Sequence, residues 1–188
     1  LRANGTIESV SIARDAGGIG PPGRVTIDGV QREMSSILWY REVDEAYFST
    51  LGLPILGGRS FTPADTPGAP LVVVVSESFG RLIAGDASPL GHRITARQPL
   101  TEEGEPAVAE VVGVVPDVIT NINAIEPLTM YYALAQRNRS TNATLAIRAA
   151  GDPRAAMREV AAIIESMDPR VTPGQMLRLD EQIGRQMN

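Results

Sequence analysis

Leu71-Val72-Val73-Val74-Val75 is the most apolar run in the chain, and it limits what the rest can become. Branched residues without a polar alternation suit a central strand buried on both faces. Ser76 follows as a helix N-cap, with Glu77 in the first turn and Phe79, Leu82 and Ile83 at helical spacing. Gly85 closes that helix, Asp86 to Gly91 turns, and His92 to Ala96 reads as a short strand. A second strand-helix-strand segment spans 144–179: Thr144–Arg148 alternates, and Asp152-Pro153 supplies an N-cap and a proline at the first helical position. Met157, Val160, Ile164 and Met167 form a stripe along this helix, Asp168-Pro169 stops it, and Met176–Leu179 is a last short strand. Asp180 caps a helix that runs to the end. Helix-strand order does not decide whether either crossover is parallel.

The remaining segments fill in a mixed α/β (α+β) chain. Thr6 to Arg14 alternates as a half-buried strand, and Asp15 to Gly23 reads as a loop on its glycines and prolines. Val25–Val30 is a strand with a turn after it, and Ser36–Val43, containing Ile37, Leu38, Trp39 and Tyr40, a buried strand. Val43 to Thr62 then packs several signals together. Asp44 is placed to cap a short helix, Tyr47, Phe48 and Leu51 share one face, and Gly52 supplies a left-handed stop. Leu53–Leu56 is an apolar run, and Gly57-Gly58 a turn. Val108–Val115 and Leu128–Ala133 read as strands, while Gln98–Pro106, Asn121–Pro127 and Gln136–Asn142 read as loops.

Composition excludes several kinds of chemistry. The chain has 188 residues, enough for one domain or two small lobes, and a formal net charge of −5, which lacks the basic footprint that nucleic acid requires. All 17 basic residues are Arg, so lysine-dependent chemistry is absent, and zero Cys removes thiol nucleophiles, disulfides and thiolate metal sites. No run approaches the roughly 18 apolar residues of a membrane span. The chain opens on Leu1 and closes on Asn188 in helical style, which reads as a piece of something longer.

Candidate sites do not survive a physical test. Gly18-Ile19-Gly20-Pro21-Pro22-Gly23 matches a dinucleotide fingerprint by letter, but two positions are prolines without amides and a strand follows in place of a helix. Ser76 at a strand-to-helix junction lacks the flanking glycines of a nucleophile elbow, and His92 and Asp117 as its partners are an arbitrary trio. Glu102, Glu103 and Glu105 form a solvated face without a calcium-loop pattern. Three Asn-x-Ser/Thr matches, at Asn4, Asn138 and Asn142, carry little information. The expectation is no catalytic, cofactor-binding or metal-binding residue, and no enzyme.

Four ordered blocks carry a resemblance: Tyr47 to Thr62; Val73–Ser78 with Ser88–Ile94; Glu110–Val118; and Asp152 to Pro169. Together they resemble the extracytoplasmic core domain of MacB/FtsX-type ABC transporter permeases over about residues 25–185. The resemblance implies two lobes, a porter-like βαβ lobe from residues 1–52 and 136–188 and an inserted α/β lobe from residues 53–135. It places the domain on the extracytoplasmic (periplasmic) side of a bacterial cell membrane, between the permease's first two transmembrane helices. It implies a coupling role, in which ATP-driven helix motion reaches partners or cargo outside the membrane, in efflux, lipoprotein handling or envelope signalling. The implied partners are the permease's own helices, an ATP-binding subunit, a second permease copy, and a periplasmic adaptor or lipoprotein, with the isolated domain a monomer. His92 stands where the family often has a basic residue, and Ser60 where an acidic one is common. The competing class is a soluble two-lobe small-molecule-binding module.

Overall fold

The computed structural model describes residues 6–19, 24–96, 107–118, 128–137, 143–167 and 178. The expected loops at 98–106, 121–127 and 138–142, the stop at Asp168-Pro169, the strand Met176–Leu179, the helix at Asp180, Gly20 to Gly23 of the fingerprint match, the acidic cluster at 102–105 and the three Asn-x-Ser/Thr sites lie outside the described residues.

The described strands are β1 Ile7–Ile19, β2 Arg24–Ile27, β3 Val30–Glu33, β4 Leu38–Val43, β5 Gly57–Gly58, β6 Val72–Ser76, β7 Arg93–Ala96, β8 Val108–Val115, β9 Leu128–Ala133 and β10 Thr144–Ala149. They form one mixed sheet in the order β10-β1-β4-β9-β6-β8-β7-β2-β3, with β5 on β8. Parallel pairing joins β4 to β9 and β6 to β8; every other described pair is antiparallel. The parallel neighbour of β6 is therefore β8, not the β7 strand that follows its helix.

Three α-helices among the described residues cover the sheet: α1 Tyr47–Leu51, α2 Glu77–Ala84 and α3 Pro153–Met167. All five residues of β6 are buried, as its unbroken apolar run requires, and its alternate residues feed two cores. Val73 and Val75 join Phe79 and Ile83 of α2, Leu38, Tyr40, Met130, Tyr132, Ile94 and Val25. Val72 and Val74 join Val43, Tyr131 and Phe61 beneath Tyr47 and Phe48 of α1. α3 lays Ala156 and Val160 on Ile7, with Val10, Ile147 and Ile164 beside them. Val160 and Ile164 lie on the packed face as expected, while Ala156 takes the place expected for Met157. Its start is as expected: Asp152 Oδ1 accepts the Arg154 amide at 3.0 Å.

Several local expectations change. β1 does not end at Arg14 but continues to Ile19, because Asp15–Ile19 keeps pairing with β4 across a register shift between Asp15 and Gly18. A bulge tolerates glycines that, by letter, read as a loop. The turn expected after Val30 precedes it: Asp28 at φ 50° and Gly29 at φ 82° make a two-residue hairpin, the left-handed pair that Asp-Gly favours. Gly57-Gly58 is a short strand on β8, whereas Leu53–Leu56 forms no ladder of its own and instead turns Leu53 and Ile55 toward the α1 core. Of the expected apolar four, Leu38 and Tyr40 of β4 are buried, while Trp39 of β4 and Ile37 just before it are 43% and 42% exposed. The β2–β3 hairpin lies beside β7, so residues 24–33 sit with the strands of residues 72–115.

Candidate functional site

Ser76, His92 and Asp117 each have a structural partner outside the trio. Ser76 is the N-cap residue of α2 by position, but its Oγ accepts the amide of Thr129 in β9 at 3.0 Å. The side-chain cap comes from Asp117, beyond β8, which accepts the Ser78 amide at 2.9 Å and the Ser78 hydroxyl at 2.5 Å. His92 Nδ1 lies 2.5 Å from Asp28 Oδ2 and pins the β2–β3 turn to the start of β7. The Arg93 amide and then His92 hold the Asp28 carboxyl below its ordinary value. Among the described residues no group of three or more His, Asp or Glu is arranged to hold a metal ion.

What the structure does build with care is the passage from β4 to β6. The short α1 begins after Ala46 with no side-chain cap. The Asp44 carboxylate accepts the Ile12 amide at 2.8 Å, and the Asp44 amide donates to the Ile12 carbonyl at 3.1 Å. Burial lifts the Asp44 carboxyl above its ordinary value, against the pull of the Ile12 amide. At the other end Gly52 is left-handed at φ 71°. Arg148 of β10 donates to the Thr50 carbonyl at 2.9 Å, and its guanidinium lies 2.9 Å from where a Gly52 β-carbon would stand.

Past α1 the chain crosses β8 at its glycines. Gly58 has φ 71°, and a β-carbon there would meet the Val112 carbonyl oxygen at 2.2 Å. Gly113, its partner across the ladder, would meet the Arg59 carbonyl oxygen at 2.1 Å. β5 and β7 therefore lie end to end along one edge of β8, with Leu90 closing the join over Gly58. Arg59 then forks onto Asp65, at 2.8 and 2.9 Å, and Asp65 also takes the Thr62 amide at 2.7 Å. Burial opposes the Asp65 charge, but the Arg59 fork and the Thr62 donors outweigh it and hold the carboxyl below its ordinary range.

The seam between β4 and β9 has aromatic rings on both faces, and one face also carries a buried ion pair. Over it Phe48 meets Tyr131 edge-on at 5.1 Å, with Tyr47 and Phe61 alongside. Under it Arg137, past the end of β9, places its Nε 3.5 Å from Glu42 Oε1 of β4, both side chains no more than 3% exposed. The Arg137 guanidinium also lies over the Tyr132 ring at 4.2 Å. Sequence reading missed this pair, because Glu42 stands in an apolar strand and Arg137 in an expected loop. The signal available was a lone acid between Tyr40 and Val43.

Residues 4–166 match the family described as MacB-like periplasmic core domain. The chain belongs to that family. Solved structures that share the fold include the following two. One is the periplasmic region of MacB from Actinobacillus actinomycetemcomitans, with a TM-score of 0.60 and 20% identity over 88% of this chain and 69% of that one. The other is the extracellular domain of the noncanonic ABC-type transporter YknZ from Gram-positive bacteria, with a TM-score of 0.60 and 16% identity over 92% and 82%. No curated protein is significantly similar in sequence. No helix among the described residues is long and apolar enough to cross a membrane.

Proposed function

We propose that this domain is the extracytoplasmic coupling module of an ABC transporter permease, carrying ATP-driven motion of the membrane helices to partners or cargo outside. Family membership supports the setting, and one observation carries the role: the ten described strands form one continuous, two-faced sheet. A close-packed body of that kind moves without deforming. In this reading residues 1–52 and 136–188 form the lobe nearer the membrane helices and residues 53–135 the outer one, with the β2–β3 hairpin reaching across to the second. The ATP-binding subunit, a second permease copy and an adaptor or lipoprotein are its proposed partners, and the bacterial cell membrane its place.

The test uses the parent permease with its ATP-binding subunit in proteoliposomes. Removing this domain is expected to abolish delivery of cargo while basal ATP hydrolysis persists. Unchanged transport, or a parent protein without flanking membrane helices, would overturn the reading.

A further inference from the structure

Along the described sheet, β10, β1 and β4 meet the other strands only where β4 pairs with β9. That junction runs in parallel register from Leu38 opposite Leu128 to Val43 opposite Ala133, with Glu42 opposite Tyr132. Its upper face is aromatic and its lower face is apolar through Tyr40 and Tyr132, whose rings lie 6.1 Å apart. Glu42 and Arg137 interrupt that apolar face with a buried ion pair. Such a pair is a poor way to add stability, since apolar residues of similar volume often serve as well or better. What charge adds is a penalty for misplacement, because a one-residue slip would turn Glu42 to the opposite face. Arg137 is also held from a second direction by the ring of Tyr132, which is itself the register neighbour of Glu42.

We infer that Glu42 and Arg137 form a register latch, which makes the β10–β1–β4 strands and the β9–β6–β8 strands open and move as one. The latch deepens the coupling reading and rests on it for its consequence: a domain that opened at this seam would absorb the stroke it is meant to pass on.

The experiment is native-state hydrogen exchange on the 188-residue chain, comparing amides of β1 and β10 with amides of β6 and β8 as denaturant is raised. In the unaltered chain both groups are expected to merge into one opening. In Glu42→Gln, exchange in β1 and β10 is expected to rise at least tenfold relative to β6 and β8, with a weaker denaturant dependence. Arg137→Lys, which keeps the charge and loses the planar guanidinium over the Tyr132 ring, gives the same split more mildly and stands in if Glu42→Gln does not fold. The double variant Glu42→Met with Arg137→Met is expected to recover the denaturation midpoint but not the shared opening. Equal acceleration of both groups would make the pair merely stabilising and overturn the latch. A rejoined opening in the double variant, or no change in the single variants, would overturn it too. Exchange is read without membrane or nucleotide, so intact joint opening alongside failed transport coupling would count against the coupling reading and leave the latch standing.

Discussion

Gly58 and Gly113 face each other across β5 and β8, and neither has room for a β-carbon. Gly58→Ala combines a left-handed φ with a collision against a backbone oxygen that cannot rotate away. A loss of about 2–4 kcal/mol is expected, from the strain and overpacking together, measurable by urea denaturation. Gly52→Val is expected to damage folding for a related reason, the left-handed φ plus the Arg148 guanidinium. Ser76→Ala removes the acceptor for a buried amide, so it is expected to cost about 1–3 kcal/mol, more than an exposed cap would. Asp65 gives a pH signature. Its carboxyl titrates below the ordinary 3.8 in the folded chain, so its stabilisation is fully present above that value and is lost as pH falls through the lowered one. The stability gap between the unaltered chain and Asp65→Asn should accordingly hold at neutral pH and shrink toward strongly acid pH. A gap that widened in acid would contradict the Arg59 fork. These residue-level roles were legible only in part. The glycines and Ser76 stand out by type and position, but what they touch comes from residues distant in sequence, as Thr129 does for Ser76 and Val112 for Gly58.

At the scale of elements, α1 is held by the core it packs on more than by its own ends. Five residues are too few to be stable as an isolated helix. Phe48→Ala is expected to cost about 3–5 kcal/mol, read by thermal or chemical denaturation, since Phe48 fills the space between Tyr47, Phe61 and Tyr131. Signals that act within a few residues were readable from the sequence. Asp152-Pro153 opened α3, Gly52 closed α1, and the valine run became β6. Signals that depend on a distant strand were not. Asp44 had the form of an N-cap, and the Ala46 and Tyr47 amides do favour its carboxylate, but it also takes the Ile12 amide of β1, a partner 32 residues away. Asp15–Ile19 had the composition of a loop yet paired with β4.

The whole molecule is a sheet that joins both halves of the chain through β4 and β9. That connection could not be read from the residues, because parallel pairing of segments 90 residues apart leaves no local trace. Family resemblance supplied the setting instead, through blocks whose meaning is now structural: the Gly57-Gly58-Arg59 motif and Gly113 are the two sides of one crossing. The isolated chain is expected to be monomeric by light scattering at micromolar concentration, since in this account the membrane helices and the ATP-binding subunit hold the permease pair. The central claim is that the domain travels as one body when nucleotide binds. Its most direct test is pulsed electron-electron distance measurement in the parent permease. Spin labels would go on Gln31→Cys of β3 and Arg154→Cys of α3, both exposed, in a stretch with no cysteine of its own. A domain that travels as one body keeps the distance between these sites within a protomer constant, while the distance between like sites of the two protomers changes between ATP-bound and ATP-free states. A within-protomer distance that changes with nucleotide while the between-protomer distance stays fixed would contradict it.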